Sequence, residues 1–191
     1  MTDEEVTGWA LAAGRGDRDA AAAFVRATQR QLRRFLQHLA GPEELDDLTQ
    51  ETYLRALRSL PGFAGRSSAR TWLYTIARRV AVDHVRAAVV RPRIARVEDW
   101  QGAADAALGA DRPRFEDDLA LRDLLGALSA ERREAFVATQ LLGLSYAEAA
   151  EVCDCPVGTI RSRVARARED LVAALAASGD PRRGRGSNAA G

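Results

Sequence analysis

Lysine is missing altogether: arginine supplies all 28 basic residues of this 191-residue chain. That excludes chemistry built on an ε-amino group, such as a phosphate-loop lysine, Schiff-base catalysis or the kinase lysine pair. Cysteine and histidine are nearly as scarce, two of each. Cys153 and Cys155 stand too close for an unstrained bridge, and His38 and His84 fall in distant segments. Neither a disulfide framework nor a four-ligand zinc site is therefore expected, and the chain reads as cytoplasmic with free thiols. No apolar run approaches the length that crosses a bilayer, so no membrane insertion is expected. The start, MTDEEVTGWA, is acidic and lacks a signal peptide's apolar core. No nucleophile, base or ligand cluster converges anywhere, so the reading is of a non-enzyme with no catalytic residue, metal or cofactor.

What the sequence does contain is helical. Hydrophobic residues make up 47% and charged residues 29%, which favours a folded chain over a disordered one. Only six prolines interrupt it, and strand-like alternation is hard to find. The expected fold class is all-α: two small helical domains joined by a flexible linker. Residues 1–88 form the first domain and 89–116 the linker. Residues 117–177 form the second domain, and 178–191, rich in Gly, Ser and Arg, a disordered tail.

The net charge is only +1, yet the charges are segregated. Ala64 to Arg96 carries eight arginines and one acid, a net of +7; Val97 to Asp118 carries seven acids and two arginines, a net of −5. Such blocks speak of partners more than the total does.

Helical periodicity places helices at about Asp17–Leu39, Glu43–Leu60 and Arg70–Ala87 in the first domain. In the second they fall at about Asp117–Leu128, Ala130–Leu142, Tyr146–Val152 and Pro156–Ala176. In the second of these helices Leu45, Leu48, Thr52, Tyr53, Ala56 and Leu60 face a core, with Asp47, Gln50, Glu51 and Arg58 opposite. Ser145-Tyr-Ala-Glu148 is a capping box, S-x-x-E, before an apolar helix. The last two helices, with a tight turn at Asp154-Cys155, form a helix-turn-helix signature.

On the wheel of the last helix, Ile160, Val164, Ala167 and Leu171 point to a core. Thr159, Ser162, Ala165 and Arg166 fall opposite, flanked by Arg161, Arg163 and Arg168. Short polar residues ringed by guanidinium groups suit close approach to a major groove. The basic block adds Phe63, Arg66, Arg70, Trp72, Tyr74, Arg78 and Arg79, where aromatics among arginines suit unpaired bases. Two readings stay open there: Tyr74 and Trp72 serve equally well as core residues. The acids Glu43, Glu44, Asp46, Asp47 and Glu51 are either a solvated helix start or a docking face for a protein groove.

DDLTQETYLRAL (Asp46–Leu57), ARTWLYTIARRVAVDHVR (Ala69–Arg86) and LGLSYAEAAEVCDCPVGTIRSRVARARE (Leu142–Glu169) resemble the extracytoplasmic-function (ECF) sigma factors of bacterial RNA polymerase. The resemblance covers most of the chain. It implies sigma domain two over 1–88 and sigma domain four over 117–177, and a subunit that directs promoter-specific initiation. It implies that Asp47, Gln50 and Glu51 dock on the clamp helices of the largest polymerase subunit, with a further contact to the flap region. Phe63, Arg66, Arg70, Trp72, Tyr74, Arg78 and Arg79 would open and read the promoter −10 element, trapping a flipped base. Thr159, Arg161, Ser162, Arg163, Ala165 and Arg166 would read the −35 element. Arg79 stands where many relatives carry Asn, and Ala165 where many carry a larger residue, so promoter preference does not transfer. With no additional sensing domain read at either end, any regulator is expected to be a separate anti-sigma protein. Fully extended, the linker reaches about 100 Å, enough to span two promoter elements. The rival readings are a conventional helix-turn-helix repressor or activator that binds operators without polymerase, and a purely protein-binding helical adaptor.

Overall fold

The computed structural model describes residues 2–90 and 121–178, and among these there is no strand. The body of the expected linker and nearly all of the expected tail lie outside them. Helix α1 (Asp3–Gly14) opens on a capping box: the Glu5 amide donates to Thr2 Oγ1 at 3.2 Å, and the Thr2 amide donates to Glu5 Oε2 at 2.7 Å. Asp3, Glu4 and Glu5 place negative charge at the positive helix end. Periodicity gives little notice of this helix, because it buries only Val6 and Ala10.

Helix α2 (Arg18–Ala40) is capped by Asp17, whose carboxylate accepts from the Ala20 amide at 3.0 Å. Its buried stripe of Ala20, Phe24, Thr28, Leu32, Phe35 and Leu36 follows the helical period and forms the axis of the first module. Gly41, at φ +90°, turns the chain out of it. Helix α3 (Leu45–Ser59) lays Leu48, Thr52, Tyr53 and Ala56 against α2. Its Tyr53 hydroxyl pairs with Thr28 Oγ1 at 2.8 Å, and burial pushes the phenol pKa up to about 12. A single 3-10 turn (Leu60–Gly62) follows.

Helix α4 (Ala69–Val90) runs three residues beyond the expected Ala87, into the first linker positions. None of Ala88, Val89 and Val90 opposes helix. Leu73, Tyr74, Ala77, Val80 and Ala81 face the core, with the Tyr74 ring 5.3 Å from that of Phe35.

The second module begins with helix α5, described over 121–126. Helix α6 (Ala130–Phe136) is capped by Ser129 and continues as a π-helical turn (Val137–Leu141), where the sequence predicts one unbroken helix. Gly143, at φ +72°, ends it. Helix α7 (Tyr146–Cys153) starts at the expected capping box: the Glu148 amide donates to Ser145 Oγ at 3.2 Å, and the Ser145 amide donates to Glu148 Oε2 at 2.9 Å. Asp154 takes the left-handed conformation at φ 51°, which a short polar side chain tolerates. Helix α8 (Val157–Ser178) starts one residue after the expected Pro156, whose carbonyl accepts from the Thr159 amide at 2.9 Å. Ile160, Val164 and Ala167 are buried as expected, and Leu171 is half-buried.

The two modules pack on each other. α4 lies against α7, and α2 against α6 and the π turn.

Candidate nucleic-acid and polymerase interface

Three solvent-facing or seam-facing surfaces carry the residues singled out in the sequence. The first is the outer face of α3. Asp47 and Gln50 are exposed, and Glu51 is half-buried. Leu54 and Leu57, 42% and 40% exposed, continue the same face. Sequence reasoning missed these two leucines, although positions 47, 50, 51, 54 and 57 share one helical stripe. The acids of this helix are not alike. Asp46 is engaged by Arg33 and Glu44 by His84, while Glu51 accepts from Arg55 Nε at 2.7 Å. Arg55 reaches on to Asp83 Oδ2 at 3.1 Å, tying α3 to α4. Asp47 and Gln50 make no side-chain hydrogen bond or ion pair with described residues.

The second surface is loop 63–68 with α4. Its sequence-predicted residues fall into separate environments. Arg66 and Arg79 are exposed, and half-buried Phe63 packs on half-buried Trp72 with ring centroids 4.9 Å apart at 39°. Tyr74 is only 1% exposed, and its hydroxyl donates to Gln31 Oε1 at 3.3 Å. Burial raises its phenol pKa, so in this arrangement the ring belongs to the core. Arg70, 17% exposed on its side chain, is tied to Asp3 of α1. Arg78 points into the seam and is engaged by Glu134 of α6.

The seam itself was not legible as a site. Glu134 is buried, and burial pushes its carboxyl pKa up despite the Arg78 guanidinium beside it. About two turns earlier on α4, the fully buried Thr71 donates from its hydroxyl to Glu148 Oε1 at 3.3 Å. Glu148 therefore caps α7 and touches α4 at once. Cys153, buried on α7, has its thiol pKa pushed up to about 12 by burial, so it is an inert packing residue. One signal could have exposed Glu134: it occupies a position one helical turn from buried Ala138, where the pattern calls for an apolar residue.

The third surface is the outer face of α8. Arg161, Ser162, Ala165 and Arg166 are exposed, and Thr159 is half-buried beside them. Ser162 Oγ donates back to the Thr159 carbonyl at 2.9 Å, which keeps its side chain short against the helix. Arg163 is half-buried, its Nη1 3.7 Å from Cys155 Sγ, so it stiffens the turn between α7 and α8. Arg168, which sequence reasoning placed only as a flank, donates to Gln140 Oε1 at 3.0 Å. The result is a low ridge of Thr159, Ser162 and Ala165 between two exposed guanidinium groups, a shape that lets a helix sink into a groove. Among the described residues, no helix is long and apolar enough to cross a membrane.

Comparison with known proteins identifies the family of both modules. The family model for Sigma-70 region 2 matches residues 24–89, and that for Sigma-70, region 4, matches residues 118–171. The chain is 51% identical over 171 residues to the ECF RNA polymerase sigma factor SigC of Mycobacterium tuberculosis, covering 90% of this chain and 91% of that one. In fold it resembles CnrH, solved in complex with the cytosolic domain of CnrY: the TM-score is 0.72 at 25% identity, covering 92% of this chain and 99% of that one. It also resembles the sigma factor RpoE of Bartonella quintana, solved with the anti-sigma factor NepR, at a TM-score of 0.59 and 29% identity over 80% of this chain and 94% of that one. These matches favour a polymerase subunit over a conventional repressor or activator. The chain belongs to the ECF sigma factors, the family whose members bind core RNA polymerase and direct it to promoters.

Proposed function

We propose that this sigma factor divides its work among the surfaces described above. The α3 face, with Asp47, Gln50, Glu51, Leu54 and Leu57, docks on the clamp helices of the largest polymerase subunit. Loop 63–68 and α4 open the −10 element, with Arg66, Arg79, Phe63 and Trp72 nearest the unpaired strand. The α8 ridge reads the −35 element through Thr159, Ser162, Ala165 and Arg166, with Arg161 and Arg163 toward phosphates. The module boundaries are those read from the sequence: 1–88 for −10 recognition and 117–177 for −35 recognition. No step requires a catalytic group: trapping unpaired bases supplies the free energy of melting. Work on the chromosome places the protein in the cytoplasm, and a separate anti-sigma protein of the kind solved with RpoE is the natural regulator.

The observation that carries this reading is the distribution of arginines over two modules: a groove-shaped ridge on α8 and a strand-trapping surface on α4. In the packed arrangement Arg78 and Thr71 are held in the seam, so full use of α4 requires the modules to separate. Run-off transcription with purified core polymerase over a promoter library tests the proposal. Specific initiation from a subset of templates is expected; none at all refutes it.

A further inference from the structure

We infer that α1, which lies before the residues matched to region 2, is the brace that fixes the base-trapping loop, with Thr7 as its positioning residue; this rests on the −10 role proposed for loop 63–68. Asp3, Thr7, Leu11 and Gly14 lie along one side of α1, spaced by three or four residues. They meet the segment 60–70 in reverse order. Asp3 engages Arg70. Thr7 Oγ1 accepts from the Ala69 amide at 3.0 Å, across 62 residues of sequence. The Leu11 methyls lie 3.6 and 3.7 Å from where a Cβ on Gly65 would stand. Gly14 approaches so closely that a Cβ there would sit 2.6 Å from the Leu60 carbonyl oxygen. α1 thus runs antiparallel to the whole loop and touches both its ends and its middle.

Thr7 does work that the helix it serves does not do for itself. The first amides of a helix have no partner within it. Ser68 Oγ accepts from the Thr71 amide at 3.1 Å, and the Trp72 amide reaches the Ser68 carbonyl at 3.0 Å. The amide of fully buried Ala69 falls to Thr7. Losing that acceptor leaves a buried donor unsatisfied at the point where the loop enters α4. The loop then has more conformations open to it, and ordering it falls to the moment of base capture. Trp72, three residues on, packs on Phe63 and shares any shift.

The test compares Thr7→Val, which keeps the shape and removes the acceptor, with Thr7→Ser, which restores it, both as full chains with core polymerase. Promoter opening is read from 2-aminopurine fluorescence in the −10 element, and core binding and −35 affinity are measured separately. Thr7→Val is expected to slow opening about fivefold, with the other two readouts unchanged, and Thr7→Ser to recover it. Opening at the wild-type rate in Thr7→Val overturns the inference. So does a Thr7→Ser chain that fails like Thr7→Val, or an equal loss in all three readouts, which is general destabilisation. A wild-type chain that opens no promoter instead refutes the functional reading beneath it.

Discussion

Replacing Glu134 by arginine should pry the two modules apart and raise the affinity of the free protein for single-stranded −10 DNA. Arg78 and Glu134 are in direct contact across the seam. At an effective dielectric of 20, such a pair attracts with about 4 kcal/mol. Burial outweighs this attraction for the carboxylate, because the Glu134 carboxyl pKa sits above its ordinary value of 4.5 even with the guanidinium present. The ionised pair then adds little to packing on balance, and the effect of the substitution comes from what replaces it. Glu134→Arg replaces it with repulsion between two guanidinium groups. Arg78 is a quarter exposed and can swing toward water, which lowers that repulsion. A net opening of about 3 kcal/mol follows, about a hundredfold in the equilibrium between packed and separated modules. Fluorescence anisotropy with a labelled oligonucleotide reads the affinity, and X-ray scattering reads the radius of gyration. Glu134→Gln is the control. A carboxyl whose pKa is raised by packing takes up a proton more readily when packed, so packing is favoured below its unfolded pKa and weakens as pH rises through the raised one. Glutamine mimics the protonated form, so this variant should stay packed and lose that dependence on pH. A Glu134→Arg chain that is folded by circular dichroism, yet keeps wild-type dimensions and affinity, would show that the seam masks nothing.

Asp47→Arg combined with Leu54→Ala should weaken core polymerase binding at least about tenfold while leaving the melting temperature unchanged, since both side chains face solvent; competition against the unaltered factor measures it, and wild-type competition would reduce the α3 face to a solvated one. Arg166→Ala should cost about 1–3 kcal/mol of discrimination at the −35 element, read from binding to single-base promoter variants; an unchanged specificity profile removes Arg166 from the readers. Tyr53→Phe should destabilise the first module by about 1 kcal/mol, because the Thr28 hydroxyl loses a buried partner at 2.8 Å, and urea titration of the full chain would reveal a lowered midpoint.

Much of the fold could be read because its helices announce their ends and their buried faces. The Ser145–Glu148 box and Asp154-Cys155 are local signals, and each governs a boundary in the structure. The stripe Leu48, Thr52, Tyr53, Ala56 and the stripe Ile160, Val164, Ala167 were equally plain, since side-chain spacing alone sets which face is buried. What escaped notice depends on partners distant in sequence. α1 has too short an apolar stripe to stand out, and its value lies in meeting residues 60–70. Spacing alone leaves both Tyr74 and Trp72 with a core reading, yet only Tyr74 lies in the core, against Phe35, while Trp72 packs on Phe63 at the half-exposed loop. Glu134 reads as an ordinary charged helix residue until Arg78 arrives from 56 residues away.

The packed arrangement also orders the encounter with polymerase and DNA. The α3 face and the α8 ridge are both open to solvent, whereas Arg78 and Thr71 on α4 are engaged in the seam. A ligand can stabilise the separated state only by binding it better than the packed one. The α8 ridge is equally exposed in both, so −35 DNA alone has little leverage on the seam. On the function proposed above, core polymerase has leverage on the seam to the extent that it engages both modules at once and holds them apart, so that it binds the separated form better. Docking therefore offsets the breaking of the Arg78–Glu134 and Thr71–Glu148 contacts before any −10 base is offered to α4. On that reading promoter opening is confined to the assembled holoenzyme, and the free factor presents only the α8 ridge proposed for the −35 element.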